Sequence, residues 1–143
     1  MDPIGLMLFC RLAHRVYYSP VRPLAWLLKA WASTLFSNDI SPAACLGRRL
    51  AFAHTPGIII GAGVIAEAGL VLGANVTIGQ DASHRFPRLG NDVVIYNGAC
   101  VIGGITIGDG ARIGANAVVL KDVPSGAVCV GVPGRNLLRS RNE

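Results

Sequence analysis

Aliphatic residues recur at every sixth position through most of this chain. A long unbroken run and a shorter earlier one share this step: Leu89, Ile95, Val101, Ile107, Ile113 and Val119, and Ile60, Ala66, Leu72 and Ile78. The step matches neither the 3.6-residue period of a helix nor the 2-residue period of a strand. It therefore indicates a repeating unit made of one short strand and one turn.

The residue four places after each of these positions is small or apolar as well, which gives two inward positions per repeat. These second positions are Val64, Leu70, Val76, Val93, Ala99, Ile105, Ala111, Ala117 and Val123. Glycine often follows the first position, as at Gly73 and Gly108, where we expect it to turn the chain sharply. Stacked repeats bury one continuous column of side chains, so the pattern predicts a parallel β-helix rather than a β-sandwich with chance spacing.

Residues 1–38 follow a different pattern, which places the predicted boundary before a β-helix domain at 39–143. The ranges 3–17 and 23–36 are predicted helices, the second beginning with proline. One apolar stripe on the second helix consists of Leu24, Leu27, Leu28, Trp31 and Leu35. We expect this short helical segment to cover the open end of the solenoid.

Contact between the helical segment and a membrane surface is an alternative, because basic residues accompany the apolar ones. They are Arg11, His14, Arg15, Arg22 and Lys29. No stretch reaches the length of a transmembrane span, and the first residues lack the basic start of a secretory signal. A cytoplasmic location with at most peripheral membrane contact is the expectation.

Composition limits the classes of function. Charged residues make up only 15% of the 143 residues, which indicates a flat face packed against copies of the same chain. The net charge of +5 favours a partner that carries phosphate. The chain has no basic tract with interleaved aromatic residues, so nucleic acid is not the expected partner.

The four cysteines lie too far apart for a C-x-x-C pair, so we expect free, buried thiols in a reduced compartment. They are Cys10, Cys45, Cys100 and Cys129. A catalytic cysteine that carries an acyl group stays open as an alternative.

Two interruptions of the repeat mark where chemistry is expected. The step from Ile78 to Leu89 is eleven residues instead of six, so a polar loop leaves the column between them. A smaller break follows His54, and His84 lies in the larger loop. Regular coils carry a solenoid fold, whereas loops carry its functional side chains.

Four segments of the repeat region match a known pattern. They are Asp-Ile-Ser-Pro-Ala-Ala at 39–44, Ala-His-Thr-Pro-Gly-Ile-Ile-Ile at 53–60, Arg-Phe-Pro-Arg-Leu-Gly at 85–90, and the closing stretch 114–135. The first three resemble the D-I-x-P-x-A, D-H-x-x-G-I-V-V and R-H-P-K-I-G segments of serine acetyltransferases, and the last resembles the final coil of many hexapeptide acyltransferases. The resemblance covers residues 39–138 and implies a left-handed parallel β-helix of hexapeptide repeats.

The resemblance implies transfer of an acetyl group from acetyl-CoA to a hydroxyl by direct attack. His54 matches the family's general base, and a hydroxyl needs such a base because it attacks a thioester poorly at pH 7. Arg85 matches an arginine that faces the carboxylate of the acceptor, a role that suits a planar guanidinium. His84 is a further candidate contact to the acceptor.

A place for acetyl-CoA is predicted along the edge of the coils. Lys121 is the candidate cation for the CoA phosphates, and small residues leave room for the pantetheine arm. These are Gly98, Ala99, Ala115 and Ala117. A zinc site needs three converging histidines, and only His54 and His84 lie in the repeat region, so no metal is expected.

Departures from the family pattern leave the acceptor open between serine, or a serine-like small molecule, and a sugar or polysaccharide hydroxyl. Ala53 replaces the aspartate expected before the base, and Phe86 replaces a second histidine. The chain ends at 141–143 without the family's terminal isoleucine, so no stable cysteine-synthase partner is expected. A non-catalytic β-helix scaffold is the second alternative.

The spacing also predicts an assembly. Counting three strands per coil places His54 and Arg85 on different corners of a triangular prism. A homotrimer of parallel prisms would bring one corner of a subunit to another corner of its neighbour. We therefore expect active sites between subunits.

Overall fold

The computed structural model describes residues 3–137, in which two helices precede fifteen short strands. The helices are α1 (Pro3–Tyr17) and α2 (Pro23–Phe36), as the sequence predicted. The first strands are β1 (Asp39–Ile40), β2 (Cys45–Leu46), β3 (Ala51–Phe52), β4 (Ile59–Ile60), β5 (Ile65–Ala66), β6 (Val71–Leu72), β7 (Thr77–Gly79) and β8 (Arg88–Leu89). The others are β9 (Val94–Ile95), β10 (Cys100–Ile102), β11 (Thr106–Ile107), β12 (Arg112–Ile113), β13 (Val118–Val119), β14 (Val128–Val130) and β15 (Arg135–Leu137).

Each strand pairs in parallel with the strand one full coil further along the chain, which makes a β-helix of about five turns. Three sheets form the three sides. Sheet 1 has the order β1-β4-β7-β10-β13, sheet 2 the order β11-β8-β5-β2, and sheet 3 the order β15-β14-β12-β9-β6-β3. Among the strands within residues 3–137, only β15 runs antiparallel, against β14. The predicted parallel β-helix with a short helical segment is confirmed.

The two inward positions of every repeat form the core. Ile60, Ile78, Val101 and Ile113 have at most 1% of their surface exposed, and every other position in both predicted sets is buried as well. In each strand of sheet 1 after the first, the inward residue is buried while its neighbour faces outward. At roughly 1.5–3 kcal/mol for each fully buried aliphatic side chain, this column is the main stabilising feature of the fold.

The glycines that follow the first inward position serve a different purpose from the predicted sharp turn. Neither Gly73 nor Gly108 has a positive φ. A Cβ at Gly73 would lie 2.7 Å from the backbone nitrogen of Asn97, and one at Gly108 would lie 2.4 Å from that of Ser125. These glycines are needed because consecutive coils approach too closely for a side chain. The left-handed turn falls later in the repeat, at residues such as Asn75 (φ 56°) and Asn116 (φ 56°).

The two helices form a hairpin that covers the first coil. α1 contacts β3 and α2 contacts β1, and Leu6 belongs to the buried core. Polar contacts fix this position. Arg11 donates to the main-chain carbonyls of Leu46 and Gly47, and Lys29 forms an ion pair with Asp39 (Nζ–Oδ1 2.6 Å).

The cysteines are free but not uniformly buried. Cys129 is buried and Cys10 and Cys100 are partly buried, whereas Cys45 is exposed because it takes the outward position of β2. The prediction of four buried thiols is therefore wrong for Cys45. Burial raises the pKa of the Cys10 thiol to about 12, which does not favour a nucleophilic thiolate there.

In the part of the chain that the structure describes, no helix is both long and apolar enough to cross a membrane. The terminal residues 141–143, on which the prediction about a cysteine-synthase partner rests, lie outside the described residues.

Candidate active site

The two interruptions of the repeat lie on different corners of the prism. His54 stands between β3 of sheet 3 and β4 of sheet 1, and we call this edge the His54 corner. The loop 80–87 stands between β7 of sheet 1 and β8 of sheet 2, and we call this edge the loop corner. Sheet 1 separates the two corners within one chain, as the count of strands per coil predicted.

A groove of about 330 Å³ runs along the His54 corner across four coils. Main-chain hydrogen bonds hold the coils in register here, from Ala53 N to Leu72 O (2.8 Å) and from Gly73 N to Ile95 O (2.9 Å). The groove is lined by Ala53, His54, Val71, Gly73, Val94, Ile95, Tyr96, Asn97 and Ala115. Small residues at the turns of neighbouring coils leave this space open beside the imidazole.

The His54 imidazole is exposed at one end of this groove. No side chain within residues 3–137 hydrogen-bonds it, and the methyl group of Ala53 supplies no carboxylate. Both ring nitrogens are therefore free to contact a ligand.

Tyr96 and Asn97 also line the groove, Arg112 contacts Tyr96, and sequence reasoning missed all three. The exposed Tyr96 ring lines it, and its hydroxyl accepts a hydrogen bond from Arg112 Nη1 (3.2 Å). Asn97 Oδ1 accepts from the main-chain N–H of Ala74 (3.2 Å), which leaves its amide nitrogen for a ligand. The available signal was the polar pair Tyr96-Asn97, which directly follows an inward isoleucine.

The loop corner is organised around Asp81. Its Oδ1 accepts the main-chain N–H groups of Ser83 (2.9 Å) and Arg85 (3.1 Å), and its Oδ2 accepts Arg85 Nε (3.0 Å). Arg85 Nη2 lies 2.8 Å from the same oxygen. The main-chain N–H of Arg85, followed by its guanidinium, lowers the pKa of the Asp81 carboxyl. Arg85 is therefore oriented and partly neutralised before any ligand arrives.

Glycines of the neighbouring coils accommodate this loop. Phe86 lies against Gly61 and Gly63, where an added Cβ would be 2.5 and 2.3 Å from the ring. Arg85 lies against Gly104, where an added Cβ would be 2.8 Å from the Arg85 Cβ. Phe86, which the sequence marked only as a departure from the family pattern, thus anchors the loop. His84 is exposed at the loop tip with a φ of 58°.

The predicted CoA-binding residues do not lie together. Gly98 and Ala115 belong to the His54 corner, whereas Lys121 follows β13 on the loop corner. Ala99 and Ala117 are fully buried, with 0% of their surface exposed. Their side chains fill the core, and the assignment of these two small residues to a CoA groove stays a prediction. Within residues 3–137 no cluster of three His, Cys, Asp or Glu side chains suits a metal ion.

Comparison with known proteins first defines the class of protein. The family model described as bacterial transferase hexapeptide (six repeats) matches residues 86–121. Two solved serine acetyltransferases share the fold at a TM-score of 0.88, one from soybean complexed with serine and one from Brucella abortus strain S19 in complex with coenzyme A. They are 35% and 34% identical to this chain, and each match covers 92% of it. The fold is thus a left-handed parallel β-helix of the hexapeptide transferases.

A relative then identifies the family. The serine acetyltransferase of Helicobacter pylori strain J99 is 36% identical over 141 residues, which cover 96% of this chain and 82% of the relative. The chain belongs to the serine acetyltransferase family. It spans only about half the length of several other relatives, between 47% and 54% of three of them, and 56% and 54% of the two solved chains.

Proposed function

We propose that this protein transfers an acetyl group from acetyl-CoA to the hydroxyl of serine or a serine-like small molecule. The observation that carries the proposal is the groove beside His54, a cleft with a free imidazole at one end and small residues along its length. The related structures that contain serine and coenzyme A support both the acceptor and the donor.

His54 is the proposed general base. Its imidazole takes the hydroxyl proton while the acceptor oxygen attacks the thioester carbonyl. The carbon–sulfur bond then breaks, and the imidazolium returns the proton to the leaving CoA thiolate. The products are an acetyl ester and free CoA, and this acid–base assistance is worth about 10²–10⁴-fold.

The donor is proposed to lie along the His54 corner. Gly98 and Ala115 keep the edge of the coils narrow, so the pantetheine arm has room beside them. Lys121, an exposed cation, is the proposed partner for the CoA phosphates. Since Lys121 lies on the loop corner, a neighbouring subunit is required to supply it.

The acceptor is proposed to bind between His54 and the loop. Arg85 would face the acceptor carboxylate through the guanidinium nitrogen that Asp81 leaves free, and His84 is a second candidate contact at the loop tip. Because these groups and His54 lie on different corners, we infer a homotrimer with its active sites between subunits. The outward positions of β4, β7, β10 and β13 support this assembly, since Ile59, Thr77, Cys100 and Val118 carry no charge.

A thiol-release assay with acetyl-CoA and a panel of amino acids, amino alcohols and sugars tests the reaction. We expect release with serine or a close analogue, and little release by the His54→Ala variant. Free imidazole should restore part of that lost activity. Absence of release with every acceptor, from folded protein, would contradict the proposal and favour a β-helix scaffold.

Mixing two impaired variants tests the shared site. His54→Ala chains and Arg85→Ala chains should regain activity when refolded together, in about a quarter of the sites, because each site then needs two chains of opposite type. Refolding each variant alone is the control. If trimers that are shown to contain both variants recover no activity, the shared site is contradicted. Either both residues then belong to the site of one chain, or one of them does not belong to the site.

A sugar or polysaccharide hydroxyl is the second candidate acceptor. The ion pair between Asp81 and Arg85 favours it, since an arginine that already has a carboxylate partner attracts a second carboxylate less strongly. Ala53 and Phe86 also remove polar groups that the family pattern places near the acceptor. Higher kcat/KM for a saccharide than for serine would decide in favour of this candidate.

A further inference from the structure

The outer side of the helical hairpin exposes a large apolar surface. We define the hairpin face as the exposed residues Ile4, Leu8 and Leu12 of α1 and Leu24, Leu27, Trp31 and Leu35 of α2. Each has between 45% and 63% of its surface exposed, although α1 contacts β3 and α2 contacts β1 on the first coil. An open groove of about 460 Å³ lies along α2 beside Leu27, Trp31 and Leu35. The residues that line this groove form contiguous apolar surface, which indicates a binding partner.

Charge around this face is of one sign. Residues 3–38 contain four Lys and Arg and no Asp or Glu. Among the described residues, only Lys29 of these four has a carboxylate partner. Arg11 binds main-chain carbonyls and so keeps its charge, while Arg15 and Arg22 are exposed. The hairpin is therefore a positively charged unit with a charge-free outer surface.

Aromatic residues complete the pattern. Trp26 and Trp31, the two tryptophans of the chain, both lie on α2 with 50% and 61% of their surface exposed. Tyr17 and Tyr18 lie at the turn between the helices, where Arg22 stacks over the Tyr17 ring (4.2 Å). Amphipathic aromatic side chains next to arginine are typical of segments that lie at the boundary between lipid and water.

We propose that the hairpin face docks on the surface of an anionic phospholipid bilayer, with both helices lying in the plane of the surface. Charge complementarity selects this partner. A second copy of the hairpin would bring like charges together, whereas anionic headgroups attract each unpaired arginine. The hairpins of a trimer with parallel prisms lie at one end of the assembly, so their contacts with one bilayer reinforce each other.

The intrinsic fluorescence of the full chain tests the proposal directly, since both tryptophans report from the hairpin. Vesicles of phosphatidylcholine with phosphatidylglycerol should shift the emission to shorter wavelength and carry the protein in co-sedimentation. Vesicles of phosphatidylcholine alone should bind more weakly, and high salt should weaken binding to the anionic vesicles.

Paired variants separate the apolar and the electrostatic contributions. The double variant Leu27→Gln/Leu35→Gln should lower vesicle binding by roughly tenfold or more. Arg15→Gln and Arg22→Gln should each lower it by about fivefold. Leu137→Gln and Arg135→Gln on β15 are the matched controls, because Leu137 is 54% exposed, close to the 56% of Leu35, but lies outside the hairpin.

Two results would overturn the proposal. One is unchanged emission and no co-sedimentation with either vesicle. The other is a blue shift without lipid that grows with protein concentration and accompanies a larger species in sedimentation velocity, since the hairpin face would then be covered by a second copy. All of these variants should retain thiol release with a dissolved acceptor, so failure of this proposal is distinguishable from failure of the acetyltransferase proposal.

Discussion

The His54 corner and the loop corner form their exposed surfaces in opposite ways. The His54 corner departs from the repeat only by the short break after His54, and its groove arises because Gly73 and Ala115 leave space between closely stacked coils. The loop corner abandons the repeat, and its side chains are held by contacts within the loop, chiefly those of Asp81. One surface depends on the packing of the whole solenoid, whereas the other depends on a few local bonds.

This difference has consequences for mutation. A change on the His54 corner acts on the register of two coils, so it should affect stability as well as chemistry. A change in the loop should alter ligand affinity and leave the solenoid intact. Testing matched substitutions on the two corners therefore separates catalysis, folding and acceptor binding.

The largest effect is expected from His54→Ala, compared with Arg85→Gln. Loss of the base should lower kcat by about 10²–10⁴-fold with little change in KM. Loss of the guanidinium should raise KM for an acceptor with a carboxylate by about 10–100-fold, because a hydrogen bond to a charged group is worth about 1.5–3 kcal/mol. Steady-state kinetics at saturating acetyl-CoA measures both, and equal losses of kcat in the two variants would contradict the division of roles.

The next effect is a difference in stability between Gly73→Ala and Gly104→Ala. A methyl group at residue 73 would lie 2.1 Å from Asn97 Oδ1 and 2.7 Å from the Asn97 backbone nitrogen, so neighbouring coils must separate. At residue 104 the three nearest atoms all belong to the Arg85 side chain, the closest being its Cβ at 2.8 Å, so the exposed loop must shift instead of the coils. We expect the first variant to lose about 1–3 kcal/mol in free energy of unfolding and the second clearly less.

Calorimetry of both glycine variants provides the measurement, and neither glycine has the positive φ that would add backbone strain. If Gly104→Ala is destabilised as much as Gly73→Ala, the loop is part of the cooperative core. In that case the contrast between the two corners is wrong.

A smaller effect is expected from Phe86→Ala. The half-buried ring covers Gly61 and Gly63, so its loss should cost about 1 kcal/mol of local stability. Amide exchange in the loop 80–87 should accelerate, while exchange in β10 and β13 should stay unchanged. Phe86→Leu is the control that keeps an apolar anchor. Equal exchange rates in Phe86→Ala and the wild type would contradict the anchoring role of Phe86.

The smallest effect is a dependence of the loop on pH. Hydrogen bonds from Arg85 hold the pKa of Asp81 below its usual value, so ionised Asp81 stabilises the folded loop above the unfolded pKa of about 4. This contribution should be lost only as the pH falls below that value, through the lower folded pKa. The chemical shift of the Arg85 amide proton can follow the transition, which Asp81→Asn should abolish. A transition near neutral pH would mean that a group other than Asp81 causes it.

The six-residue repeat was sufficient to predict the coil and its inward residues, and the different pattern of residues 1–38 predicted the two helices, because each depends on local periodicity. The repeat also predicted Ala99 and Ala117 to be inward, and both are buried. His54 was found through an interruption of the same repeat together with the family pattern. Tyr96 and Asn97 were missed because they line the groove through contacts between coils, not through their own hexapeptides.

The sequence by itself determined that aliphatic residues six apart must share one side of a solenoid. Only the tertiary structure decided which residues of different coils become neighbours, such as Gly73 with Asn97 and Gly104 with Arg85. It also decided that Asp81 turns back to bind Arg85 and that Phe86 packs on the preceding coil. The physical reason is that periodic burial is written along the chain, whereas stacking brings together residues about twenty positions apart, whose pairing depends on the length and closure of each turn.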